Sequence, residues 1–124
     1  MVTKLISTMC LSLALVATSC YGDTTTRKYY TPIQYLKNYA LSSCIADGYQ
    51  SKEVVNDAVA AANGYKELGS LDIDAYNEVA TLGQMFLSKN YMSQSGENLV
   101  IMKCIDFFHS KELDRLARKY ATQK

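Results

Sequence analysis

The chain has 124 residues, 48% of them hydrophobic and 20% charged, with a formal net charge of +1. That length suits one domain with one modest core. The near-neutral balance excludes a nucleic-acid binder that works through a basic field, and a surface held on anionic lipid by charge alone.

The first residues read as a targeting segment. Met1, Val2, Thr3 and Lys4 form a short basic start, and residues 5–16 are mostly apolar and uncharged, broken by Ser7, Thr8 and Ser12. Ala17, Thr18 and Ser19 supply the small residues a signal peptidase reads. The pattern predicts a secretory signal peptide over residues 1–19, with an apolar run too short to span a bilayer. Val16-Ala17-Thr18-Ser19-Cys20 also resembles a relaxed bacterial lipobox, with Ala17 where Leu or Val is usual. Cys20 is therefore either lipidated, tethering the domain to a membrane, or left at a frayed terminus. Removing residues 1–19 takes away one basic residue of the 13, Lys4, leaving 12 against 12 acidic ones, so the mature chain is formally neutral.

Of the four cysteines, Cys10 lies in the signal and Cys20 at its end. Cys44 and Cys104 remain as an even pair in an oxidising compartment, which predicts a disulfide between them. Residues 20–30, with a run of threonines and no hydrophobic period, read as a flexible lead-in to a single helical domain over 31–124.

Thr31 and Pro32 open a first helix, as N-cap and first helical residue. Ile33, Leu36, Ala40, Cys44 and Asp47 follow a helical stripe, widened by Leu41 and Ile45, and Gly48 is the expected stop. Tyr35 and Tyr39 are placed at the core edge with their hydroxyls toward water. Ser51 is the expected cap of a second helix, with Val54, Val55, Ala58, Ala61, Ala62 and Tyr65 on its apolar face. Its run of small residues lets a partner helix come close, and Gly69 ends it. Asp72 or Ser70 caps a third helix with Ile73, Tyr76, Val79, Ala80, Gly83, Phe86 and Leu87 inward. Gly83 marks close contact with another backbone, and Asn90-Tyr91 is the expected end. Residues 92–97, Met-Ser-Gln-Ser-Gly-Glu, break every period and read as a loop. Leu99, Ile101, Met102, Ile105 and Phe108 then predict a buried fourth helix with Cys104 on its flank. Ser110 caps a last helix whose apolar positions are Leu113, Leu116, Ala117 and Tyr120. Its basic residues Arg115, Arg118 and Lys119 complement the negative end of the helix dipole. No period-two strand pattern persists. The expectation is an all-α bundle of four to five helices with one intramolecular disulfide.

The stretch Lys103-Cys104-Ile105-Asp106-Phe107-Phe108-His109-Ser110 holds a cysteine, a carboxylate and the chain's one histidine. Cys, His and Asp are the parts of a thiol enzyme. On one regular helix, however, Cys104 and His109 point about 140° apart and cannot pair. Asp106 and His109, three residues apart, can meet, which orients a helix-terminal histidine and activates no nucleophile. There is no zinc-type ligand spacing, phosphate loop, Gly-x-Ser-x-Gly elbow or His-Glu-x-x-His. The sequence therefore points to a non-enzymatic protein with no cofactor or metal, working by its surface.

Asn38-Tyr39-Ala40-Leu41-Ser42-Ser43-Cys44-Ile45-Ala46, Ala61-Ala62-Asn63-Gly64-Tyr65, Lys89-Asn90-Tyr91 and Lys103-Cys104-Ile105-Asp106-Phe107-Phe108-His109-Ser110-Lys111-Glu112-Leu113 together carry a resemblance. From Tyr35 to Tyr120 the pattern resembles the immunity proteins that neutralise type VI secretion amidase effectors. The resemblance implies a small, all-helical, periplasmic homodimer. Its implied partner is a papain-like amidase that cuts peptidoglycan stems, whose cleft a protruding loop blocks. The fitting segment is residues 91–98: Tyr91, Met92, Ser93, Gln94, Ser95, Gly96, Glu97 and Asn98. Lys89 joins it, Met85 and Ser88 flank it, and Tyr91 and Met92 are the candidate apolar anchors. The competing reading is a small periplasmic acid-stress chaperone, which exposes apolar surface at low pH.

Overall fold

The structure is a computed structural model and describes residues 29–123. The expected signal peptide and Cys20 lie outside the described residues. Five helices follow in order: α1 (Pro32–Gly48), α2 (Lys52–Leu68), α3 (Ile73–Leu87), α4 (Val100–Phe108) and α5 (Lys111–Ala121). Among the described residues there is no strand, so the all-α expectation holds.

The helix starts follow local chemistry. Thr31 and Gln34 form a reciprocal capping box at α1, with Pro32 in its first turn. Asp72, not Ser70, caps α3 by accepting the Asp74 N–H, and Ser110 caps α5 by accepting the Leu113 N–H. Ser51 occupies the N-cap of α2 without a side-chain hydrogen bond.

Helix α1 is the hub and packs against all four other helices, while α3 also meets α4 and α5. The core joins Leu36 and Ala40 of α1, Val79 and Phe86 of α3, Phe107 of α4, and Leu113 and Ala117 of α5. The Phe86 and Phe107 rings lie 5.2 Å apart across the α3–α4 contact. Only alanines of α2, Ala58 and Ala62, are buried; Ala61 faces out. Tyr35 is buried, and Tyr39 packs edge-on against Tyr76 with centroids 5.0 Å apart.

Cys44 and Cys104 are bonded, with their Cα atoms 5.7 Å apart and both side chains buried. The bridge ties α4 to α1. It also corrects the expected face of α4. Val100, Lys103, Cys104 and Phe107 point inward, whereas Ile101, Met102 and Ile105 are 45%, 52% and 47% exposed. Both stripes have helical spacing, and the disulfide decides between them because Cys104 must face α1.

Two glycines matter through close approach. A Cβ at Gly48, the last residue of α1, would run into the Val100 side chain, so glycine here admits the start of α4. A Cβ at Gly83 would sit 3.2 Å from Phe107 Cε1. The close neighbour of Gly83 is thus an aromatic ring and not the expected backbone. Ile73, expected inward, is half exposed, and Ala75 takes the buried place.

Candidate functional site

The segment between α3 and α4 is the one long connection among the described residues, and it is built rather than loose. Helix α3 ends at Leu87, short of the expected Asn90-Tyr91, with Ser88 as its C-cap. The Ser88 hydroxyl donates back to Met85 O at 2.8 Å, and the Lys89 N–H donates to Phe86 O at 3.2 Å. The Lys89 ammonium lies 3.4 Å from the Phe86 ring centroid. These contacts close the helix end and turn the chain outward.

Farther along, Tyr91 folds back on α4. Its hydroxyl donates to Asp106 Oδ2 at 2.6 Å, and that hydrogen bond raises the phenol above its ordinary pKa. Asp106 therefore has a loop partner. Among the hydrogen bonds and ion pairs of the described residues, no Asp106–His109 bond occurs; the His109 ring instead stands edge-on to Phe108.

At the tip, Ser93 organises a turn. Its Oγ accepts the N–H groups of Ser95 at 3.3 Å and Glu97 at 3.2 Å and lies 3.1 Å from the Ser95 hydroxyl. The Gly96 N–H reaches Ser93 O at 3.4 Å. Gly96 sits at φ 80°, a left-handed conformation that glycine adopts without steric cost. Leu99 closes the loop at φ 52° as the N-cap of α4. A leucine there costs about 1 kcal/mol, which the surrounding packing must offset.

Lys103, which the sequence reading passed over as a site residue, holds the base of the loop. Its side chain is only 5% exposed. Nζ donates to Leu87 O at 3.1 Å and to Asn98 Oδ1 at 2.9 Å, and lies 5.9 Å from the Tyr91 ring centroid. The available sequence signal was a lysine inside an otherwise apolar helical stripe.

The sequence-predicted site residues thus form one surface feature. Met92, Gln94, Ser95, Gly96, Glu97 and Asn98 are exposed, and Met92 is 89% exposed. Ser93 is half-buried because its hydroxyl serves the turn, and Tyr91 is half-buried against Asp106. Ser88 and Lys89 open the loop just past the end of α3, and Met85 borders it from the last turn of that helix. The loop offers an apolar knob and several free donors and acceptors. Cys104 has no thiol to contribute, since its sulfur is bonded to Cys44. Among the described residues, no group of three His, Cys, Asp or Glu side chains could hold a metal. A groove of about 710 Å³ lies elsewhere, between α3 and α5, with Leu82 and Leu116 among its lining residues. It shares only Met85 with the loop surroundings.

The profile of a family described as type VI secretion system amidase immunity proteins matches residues 34–117. The chain belongs to that family. A solved Tae4/Tai4 effector–immunity structure from Salmonella typhimurium is similar at 36% identity, with TM-score 0.69, over 73% of this chain and 89% of that one. A Serratia marcescens structure, described as new type VI-secreted toxins and self-resistance proteins, matches at 29% identity and TM-score 0.67, over 74% and 77% of the two chains. The fold also recurs in a Tae4–Tai4 complex from Enterobacter cloacae, at 20% identity and TM-score 0.64, over 71% of this chain and 90% of that one. No curated protein sequence matches the chain. Immunity proteins of this kind act in the periplasm. In this immunity protein, no helix among the described residues is long and apolar enough to cross a membrane.

Proposed function

We propose that this immunity protein inhibits a papain-like peptidoglycan amidase by inserting the loop over residues 88–99 into its active-site cleft. One observation carries the reading: an exposed loop with an exposed Met92 and polar tip, fixed at both ends to the disulfide-bonded core. A pre-ordered segment enters a cleft with less entropy to lose than a mobile one. Ser95, Gly96 and Glu97 at the tip can run along a groove backbone, while Met92 can occupy an apolar pocket. The protein's action is occlusion of the cleft. Residues 1–19 would export it, and lipidation of Cys20 would keep it at a membrane where incoming effector arrives.

The test is inhibition of the amidase encoded beside this gene. Purified wild-type protein should stop hydrolysis of peptidoglycan stems at equimolar ratio. Ser95→Arg should restore hydrolysis without loss of helical circular dichroism. Full inhibition by Ser95→Arg would place the interface elsewhere.

The exposed Ile101, Met102 and Ile105 stripe of α4 supports the homodimer implied by the family resemblance. In a two-fold dimer the same patch of each copy meets its counterpart, and an exposed apolar stripe suits such a contact. Ile101→Glu with Ile105→Glu should convert a dimer into a monomer in light scattering. A dimer that survives the double substitution would remove α4 from the contact.

A further inference from the structure

We infer that Lys103 is a positioning residue of inhibition: its buried ammonium clamps both limbs of the loop over residues 88–99 and sets the lifetime of the complex. The inference rests on the proposal that this loop is the inhibitory element. A lysine removed from water is costly unless its donors are satisfied, and helix α4 would form as readily with an aliphatic residue at this position. Lys103 is 5% exposed, and its two oxygen partners lie at opposite ends of the loop. Leu87 O is the carbonyl of the last residue of α3, at the negative end of that helix, where a cation is favoured. Asn98 Oδ1 belongs to the returning limb. One cation therefore joins the chain where it leaves the core to the chain where it comes back. The Tyr91 ring, 5.9 Å from Nζ, lies within the range of cation–π attraction and holds the Asp106 carboxylate from its other end. Lys103 is adjacent to Cys104, so the clamp is anchored through the disulfide to α1. The loop is thereby indexed to the hub helix of the fold and not to its own turn alone.

A residue that only stapled α3 to α4 would affect global stability. A positioning residue acts on the order of the loop and on dissociation of the partner, because ordering lost from the free state weakens the bound state. Hydrogen exchange of the free, full mature protein reads the first quantity, and surface binding to the amidase encoded beside this gene reads the second. Lys103→Met keeps the buried stem and removes the donors. Asn98→Leu removes one acceptor from an exposed position and leaves the core untouched, while Asn98→Asp keeps the acceptor. Lys103→Met and Asn98→Leu should speed exchange of the amides over residues 93–97 about tenfold, with the α1 and α5 amides unchanged. The amidase should leave about tenfold faster, equivalent to about 1.4 kcal/mol, with its association rate preserved. Asn98→Asp, which keeps the acceptor for Lys103, should retain the native slow amide exchange over residues 93–97 in the free protein. Unchanged loop exchange in both disruptive variants overturns the inference. So does faster exchange with native dissociation, provided Ser95→Arg abolishes binding. If Ser95→Arg and Lys103→Met both bind natively, the loop itself is not the inhibitory element and the functional proposal fails with it.

Discussion

Removing the Cys44–Cys104 bridge is the perturbation with the largest expected effect on this fold. The two cysteines are 60 residues apart in sequence, and the bond joins the hub helix α1 to α4. In the chain-entropy account, closing a loop of about 60 residues restricts the unfolded chain by about 4 kcal/mol at room temperature. Both side chains are buried, at 2% and 0% exposure, so a double alanine replacement also leaves unfilled space in the core. The one shared void left by the two bonded sulfurs adds about 1 kcal/mol, bringing the expected loss to about 5 kcal/mol. A domain of this size has a total stability of about 5–15 kcal/mol. The double variant Cys44→Ala/Cys104→Ala should therefore be marginally folded, with its melting temperature lowered by roughly 20 °C. Urea titration followed by circular dichroism measures the loss directly, at matched pH and without reductant. Burial adds a kinetic expectation: a mild reductant should not open the native bond within hours, yet should open it quickly in urea. A loss under 1 kcal/mol, with an unchanged urea slope, would refute the view that the bridge holds α4 on α1.

Gly48→Ala should destabilise by about 1–3 kcal/mol in urea titration, because the added methyl meets the Val100 and Leu87 side chains where α4 begins. Tyr91→Phe should cost little global stability while speeding amide exchange over residues 91–97, since it removes the hydrogen bond to Asp106. Acid should weaken the fold through Asp114 and Glu78. Asp114 is held below its ordinary pKa by its hydrogen bond from Lys37, and Glu78 by its hydrogen bonds from Tyr120 and Lys119. A lowered carboxylate stabilises above its unfolded pKa, and that contribution is lost as pH falls through the folded value. Urea midpoints should drop below about pH 4, and Asp114→Asn should flatten the slope. Tyr120 is the mirror case. Its hydrogen bond to the Glu78 carboxylate raises it to about 12, so its contribution is present below the ordinary value of 10.0 and is lost as pH rises through about 12. Absorbance titration of Tyr120→Phe against wild type should remove one late-ionising phenol.

The all-helical class and the starts of α1, α3 and α5 were legible in the chain because each has a local cause. Thr31 and Pro32 start α1, Asp72 starts α3 and Ser110 starts α5 through hydrogen bonds or torsions set within a few residues. The export reading left Cys44 and Cys104 as the pair, and the structure bonds them. The loop could be recognised because residues 92–97 satisfy no helical period. Its inner architecture could not be read, since the Tyr91–Asp106 and Lys103–Asn98 bonds and the Lys103–Leu87 contact join groups 5 to 16 residues apart.

Helix α4 shows where local pattern stops being decisive. Val100, Cys104 and Phe107 share one spacing, and Ile101, Ile105 and Phe108 share the same spacing one position later. Periodicity alone cannot choose between two apolar stripes on one helix. Chain-wide packing chooses. Cys104 has to meet Cys44, Phe107 has to fill the space left by Gly83, and Lys103 is thereby turned inward to hold the loop. The sequence by itself determined an all-helical, bridged scaffold with one polar break. The tertiary structure decided which face of α4 enters the core, and so which residues are left to grip the loop and which stand in water.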